Sequence, residues 1–208
     1  MRGISLLLTS IAVLSVAPAA ASARQTTTTT AGGASTTSPM GTEQTGGAAY
    51  GVDPDAAPRV YVTGSVAQRM PNGYAAAPAD APVQVQEAIF AANDIVGKPY
   101  VYGGGHAAYT SSTTASGYDC SATVSYALHG GGLLKSPLDS SSFMRWGKAG
   151  KGSWITVYTN PGHAYTVIAG LRLDTSAAGE QVSSGSGPRW RSNLREVRGF
   201  KRRHPSGF

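Results

Sequence analysis

Cys120, His163 and Asp174 have the residue types, in the right order, for nucleophilic acyl chemistry. Cys120 is the only cysteine and stands in Gly117-Tyr118-Asp119-Cys120-Ser121-Ala122. A glycine-containing loop there runs into a helix, which puts the thiol on its first turn. Backbone N–H groups and the helix dipole at that point favour an anion. They lower a thiol pKa and raise the fraction of thiolate, the nucleophilic form. The same N–H groups can hold a developing oxyanion. The competing reading is an inert buried thiol, because free cysteine packs as a small hydrophobe.

His163 follows the turn Asn160-Pro161-Gly162 and opens the apolar run Ala164–Leu173. A histidine held on a strand beside a helix-borne thiol is a nucleophile–base pair. A purely structural histidine is the alternative. Asp174 ends that run, and a chain reversal near Gly170 would return it to His163. It would then orient the imidazole and stabilise its charged form. Alone, it would read as an aspartate that begins a turn. His106 follows Gly103-Gly104-Gly105 and is the rival base, ranked lower because it lies close to Cys120 in sequence on a loop. His129 falls toward the end of the Cys120 helix and His204 near the chain end. No tight ligand spacing supports zinc. The glycine run lacks the Lys-Ser/Thr of a phosphate loop. No cofactor is expected.

The elements that position these residues follow from periodicity. Val85, Ala88, Ile89, Ala92, Ile95 and Val96 recur at helical spacing between Pro82 and Gly97, so a helix is expected there. Tyr100-Val101-Tyr102 reads as a short extended piece and Ser121–Leu128 as a second helix, ended by Gly130-Gly131-Gly132. Trp154–Tyr158, Ala164–Leu173 and Val197–Arg203 read as strands. Helices followed by strands favour an α+β fold over a doubly wound sheet.

The remainder of the chain is organised differently. Residues 1–23 combine Arg2, an apolar run from Ile4 to Val16, and Ala21-Ser22-Ala23. That is the pattern of a secretory signal peptide with a small-residue cleavage site. The run is too short for a comfortable membrane span. Residues 24–82 are Thr-, Gly- and Pro-rich and read as a low-complexity linker. Arg59–Thr63 is a possible short strand within it, and residues 50–82 are extended chain able to lie against the domain. Residues 83–208 form the expected domain.

Three segments together resemble the NlpC/P60 cysteine peptidases, as a divergent branch. They are Gly97-Lys98-Pro99-Tyr100-Val101-Tyr102-Gly103-Gly104, then Tyr118-Asp119-Cys120-Ser121, then Gly162-His163 before an apolar strand. The resemblance runs from about Ala75 to the C-terminus. It implies a papain-like fold with helices packed on an antiparallel sheet. It also implies hydrolysis of amide bonds in peptidoglycan stem peptides, with Cys120 as nucleophile, His163 as base and Asp174 as the third polar residue. Tyr100 and Ser121 would shape the oxyanion and substrate site. Ala122 stands where the family has Gly, and Gly152–Val157 replaces the usual strand before the histidine. An acyltransferase would need the same Cys/His pair. A non-catalytic cell-wall-binding module would need neither.

The chain has 208 residues, 13% charged, with a formal net charge of +6. Residues 189–203 hold Arg189, Arg191, Arg195, Arg198, Lys201, Arg202 and Arg203 against Glu196 alone. This run carries the net charge, and the remainder is near neutral. It reads as a solvated edge strand protected by charge, or as a surface for anionic cell-wall polymer. Export and the lack of a nucleic-acid motif disfavour nucleic acid. No stable membrane anchor is expected, and the protein would act outside the cell or in the wall.

Overall fold

The computed structural model describes residues 57–109, 114–180, 185–192 and 194–208. The signal-peptide reading and the linker reading up to residue 56 lie outside the described residues. Strands β1 (Tyr61–Val62), β2 (Gln68–Arg69) and β3 (Ala75–Pro78) come first. They form a small sheet in the order β1-β3-β2. Helix α1 (Val83–Ile95) follows, with Val85, Ala88, Ile89, Ala92 and Ile95 buried as their spacing requires. Pro82 precedes its first residue, and Gly97 takes a left-handed φ of 90° just past its end. That is a conformation glycine adopts without cost.

Residues 57–82 do not behave as a linker. Ala67, Ala75, Ala77 and Ala81 belong to the main hydrophobic core. The buried Asn93 side chain accepts from Ala75 N–H and donates to Ala75 C=O, both at 2.9 Å, and accepts from Trp190 Nε1 at 2.8 Å. One α1 residue therefore fastens the N-terminal strands to the C-terminal part of the fold. The described residues all belong to one unit, which begins well before residue 83.

Helix α2 (Cys120–Gly130) and the short α3 (Ser140–Phe143) lead into the main sheet. Its strands are β4 (Lys148–Ala149), β5 (Ile155–Asn160), β6 (His163–Ile168), β7 (Leu171–Asp174), β8 (Arg189–Arg191) and β9 (Lys201–His204). They lie in the order β4-β9-β5-β6-β7-β8, and every pair is antiparallel. The protein is thus α+β. No described helix is long and apolar enough to cross a membrane.

The run read as one strand, Ala164–Leu173, is a hairpin. Ala169 and Gly170 both have positive φ, 46° and 84°, the backbone that a two-residue hairpin turn demands. Pairs Thr166–Leu173, Val167–Arg172 and Ile168–Leu171 set the register. The strand read at Val197–Arg203 begins only at Lys201. Of Tyr100–Tyr102, only Tyr100 pairs, bridging to Tyr118.

Alternation along strands sorts the sheet into two faces. Val157, Ala164, Ile168, Leu171, Leu173 and Trp190 join the core with Val85, Ile89, Val124 and Leu128 from the helices. Tyr158, Tyr165, Arg172 and Arg191 point the other way, yet are also buried. Described segments between β7 and β9 roof that face. Arg172 Nη1 donates to Ala178 C=O at 2.8 Å and Arg191 Nη2 to Gly185 C=O at 2.9 Å. Arg191 also pairs with Glu180 at 2.9 Å.

Candidate active site

The N-terminus of α2 is built around Asp119. Its carboxylate caps the helix by accepting from Ala122 N–H at 2.8 Å, and its backbone carbonyl accepts from Thr123 N–H. The N–H groups of Cys120 and Ser121 have no intrahelical acceptor, as at the start of any helix. The glycine loop closes on the same carboxylate, with Gly103 N–H 3.2 Å from Asp119 Oδ2. Gly105 permits this closure. Its φ is 79°, and a Cβ there would stand 2.4 Å from the Tyr118 ring.

Cys120 is 8% exposed. His163, at the start of β6, and the backbone N–H of Ala164 sit close enough to the thiol to favour its thiolate. Burial pushes the thiol pKa up. The His163 hydrogen bond, the Ala164 N–H and the His163 charge outweigh it, so the pKa falls below its ordinary value.

Asp174 supports the imidazole from behind. Continuing the hairpin register sets Asp174 across from Tyr165, diagonal to His163 on one face. Its Oδ1 lies 2.9 Å from His163 Nε2, which leaves Nδ1 for the thiol. Burial works against a charged His163, but hydrogen bonds to Asp174 and Cys120 raise its pKa from 6.5 to about 9. For Asp174, burial pushes the pKa up. The His163 hydrogen bond and charge, Ser176 N–H and Arg195 bring it below its ordinary value.

Sequence reasoning missed Arg195. Its Nη1 lies 3.1 Å from Asp174 Oδ2, the oxygen His163 does not use. The guanidinium also sits over the Tyr165 and Phe200 rings, at 5.3 and 5.2 Å. In the sequence Arg195 is one basic residue of a run, and only its place in the roof gives it a partner. It is a positioning residue for Asp174.

A groove of about 400 Å³ opens in front of Cys120. Tyr100, Tyr102, His106, Ser121, Asp139 and Gly162 are among its lining residues. Tyr100 is 41% exposed. Burial first, then the nearby Cys120 and Asp119, raise its pKa above the ordinary value, so its hydroxyl is a donor at neutral pH. Ser121 Oγ is already engaged, donating to Asp119 Oδ1 at 3.1 Å. His106, the rival base, also reaches the groove, but its Nε2 lies 3.0 Å from both Asp119 oxygens.

His129 and His204 are elsewhere, bonded through Nδ1 to Leu134 and Gly150 carbonyls. Among the described residues no group of His, Cys, Asp and Glu could hold a metal ion. No known family model matches this chain, and no curated protein matches it in sequence.

Proposed function

We propose that the protein is a secreted cysteine peptidase of the NlpC/P60 kind, with a papain-like arrangement, that hydrolyses amide bonds in peptidoglycan stem peptides. The observation that carries this reading is the His163–Asp174 hydrogen bond, 2.9 Å long, beside the Cys120 thiol at a helix N-terminus. The substrate class rests on the resemblance of the three sequence segments.

In this mechanism the Cys120 thiolate attacks the amide carbonyl carbon and the C–S bond forms. The carbonyl π electrons move to oxygen. That oxyanion lies within the field of the first-turn N–H groups and the Tyr100 hydroxyl. His163 delivers its proton to the amide nitrogen as the C–N bond breaks, and the amine leaves. Neutral His163 then takes a proton from water, which attacks the thioester. The second tetrahedral intermediate collapses, the carboxylic acid departs, and the thiolate–imidazolium pair is restored. Arg195 keeps Asp174 ionised and aimed throughout.

The test is amine release from purified peptidoglycan. Cys120→Ala should lower the rate at least about a thousandfold, because the nucleophile and its acyl-enzyme are both lost. Unchanged release by this variant overturns the reading. Activity should follow a bell in pH. Its acid limb belongs to the thiol and lies below the ordinary thiol range, and its basic limb belongs to His163 near pH 9. Both limbs report the coupled pair.

A further inference from the structure

The basic C-terminal run does not act as one surface. Arg191 and Arg195 turn inward to Glu180 and Asp174. Arg189 is on β8, at the other end of the main sheet, whereas Lys201, Arg202 and Arg203 gather with other cations at the β4–β9 end. Lys148 and Lys151 come from β4 and the loop after it, and Lys201 and Arg202 from β9. All four are exposed. Arg203 joins them half-buried, its Nε donating to Met144 C=O at 2.9 Å. Residues 140–173 and 197–208 contain no Asp or Glu at all. Among the described residues none of these five cations has an acidic partner within 4.0 Å.

Edge protection explains only part of this charge. A sheet edge is guarded by lysine because its backbone groups are unpaired. Lys148 is on the edge strand β4, and Lys201 and Arg202 pair with β5 alone, but Arg203 is paired on both sides, to β4 and to β5. The cations persist where that need is absent, and Lys151 lies outside any strand. Like charges gathered at one end of a sheet, with no acid paired to them, raise the local potential for an anion.

Three of these cations (Lys201, Arg202 and Arg203), with Ala149, Gly150 and Phe200, line a shallow groove of about 360 Å³, and Lys148 and Lys151 flank Ala149 and Gly150 in the chain. Phe200 links it to the candidate active site, its ring 6.3 Å from that of His163. We propose that this groove docks a phosphate-bearing polyanionic chain beside the candidate active site. The several exposed, spread cations match a repeating charge better than a single small anion. Lysine point charges and arginine forks both suit phosphate. Duplex nucleic acid is disfavoured because, among the described residues, no helix follows β4 or β9 at this edge to enter a groove. Single-stranded nucleic acid wants a free aromatic platform. The Phe200 ring is instead engaged by Tyr165, His163 and Arg195. The proposal does not depend on the peptidase reading.

The experiment measures binding of the full chain, as Cys120→Ala, to three fluorescent probes: inorganic polyphosphate, polyglutamate and oligothymidine. Polyphosphate should bind tightest. Its affinity should fall about tenfold to a hundredfold between roughly 50 and 200 mM salt, as release of counterions from a few contacts requires. Lys148→Glu/Lys151→Glu and Lys201→Glu/Arg202→Glu should each weaken it at least tenfold. Arg69→Glu/Lys135→Glu, at exposed sites elsewhere, should not. Circular dichroism checks folding, and Lys148→Gln/Lys151→Gln, with an expected smaller loss, serves if a reversal unfolds the chain. Absent or salt-insensitive polyphosphate binding overturns the proposal. So does tighter binding of either other probe, or equal binding by the groove and control variants.

Discussion

At the scale of single residues, the two oxygens of Asp174 divide the work between His163 and Arg195. A buried carboxylate with one cation would give that cation its full charge. Arg195 takes part of it, which moderates how strongly Asp174 raises the His163 pKa. Replacing Arg195 by Met should therefore move the basic limb of the activity profile above pH 9 while lowering kcat about tenfold. Arg195→Lys, which keeps the charge but loses the fork, should restore the limb more fully than kcat. A kcat loss with no change in the profile would assign Arg195 a merely structural role. Cys120 and His163 were legible in the sequence because a helix start and a strand start are local patterns. Asp174 was legible only on the condition of a turn near Gly170, which the paired positive φ values of Ala169 and Gly170 meet. Arg195 was not legible. Its meaning depends on a tertiary contact 21 residues away in the chain, and nothing local separates it from Arg198 or Arg202.

Between elements, Asn93 is the position on which most depends. It satisfies both backbone groups of Ala75 and the Trp190 indole at once. Asn93→Ala would leave three buried polar groups without partners, costing roughly 1–3 kcal/mol for each that water cannot reach. A loss of about 3 kcal/mol in urea unfolding is expected, in one cooperative step. A separate early transition confined to residues 57–82 would show instead that those strands are an independent layer. Their low-complexity composition hid them. β1 and β2 are two residues each, too short for any alternation to register. β3 packs through alanines, which carry little hydrophobic signal. Only Arg59–Thr63 hinted at a strand, and β1 lies within it. α1, α2 and β5 were legible because they are long enough for a period to repeat.

For the molecule as a whole, charge distribution rather than total charge governs behaviour. The net +6 suggests a uniformly basic protein, but the arginines of the roof are consumed by Asp174 and Glu180. The His163–Asp174 pair links this interior to pH. His163 has a raised folded pKa, so its contribution is complete below its ordinary 6.5 and disappears as pH climbs through about 9. Asp174 has a depressed folded pKa, so its contribution holds above its ordinary 3.8 and is lost as pH falls through its lower folded value. The stability gap between the parent and Asp174→Asn should be widest from about pH 4 to 6.5, on the order of 2 kcal/mol. It should narrow toward pH 9. Thermal or denaturant unfolding across that range measures it, and a gap independent of pH would mean the pair contributes only packing.

The two-residue turn between β6 and β7 also sets how this part of the chain can change length. Because strand side chains alternate, one residue inserted at Ala169-Gly170 with the two-residue turn retained would slip the register of β7 by one and swap the parity of its side chains, until a longer loop or a bulge took up the extra residue. Leu171 and Leu173 would face the arginine roof, and Arg172 and Asp174 would be driven toward the hydrophobic core. In this hairpin a single-residue insertion is a frameshift in space. Descendants of this sequence can lengthen the turn by even steps, or by a bulge that restores phase, and still keep the carboxylate behind its histidine.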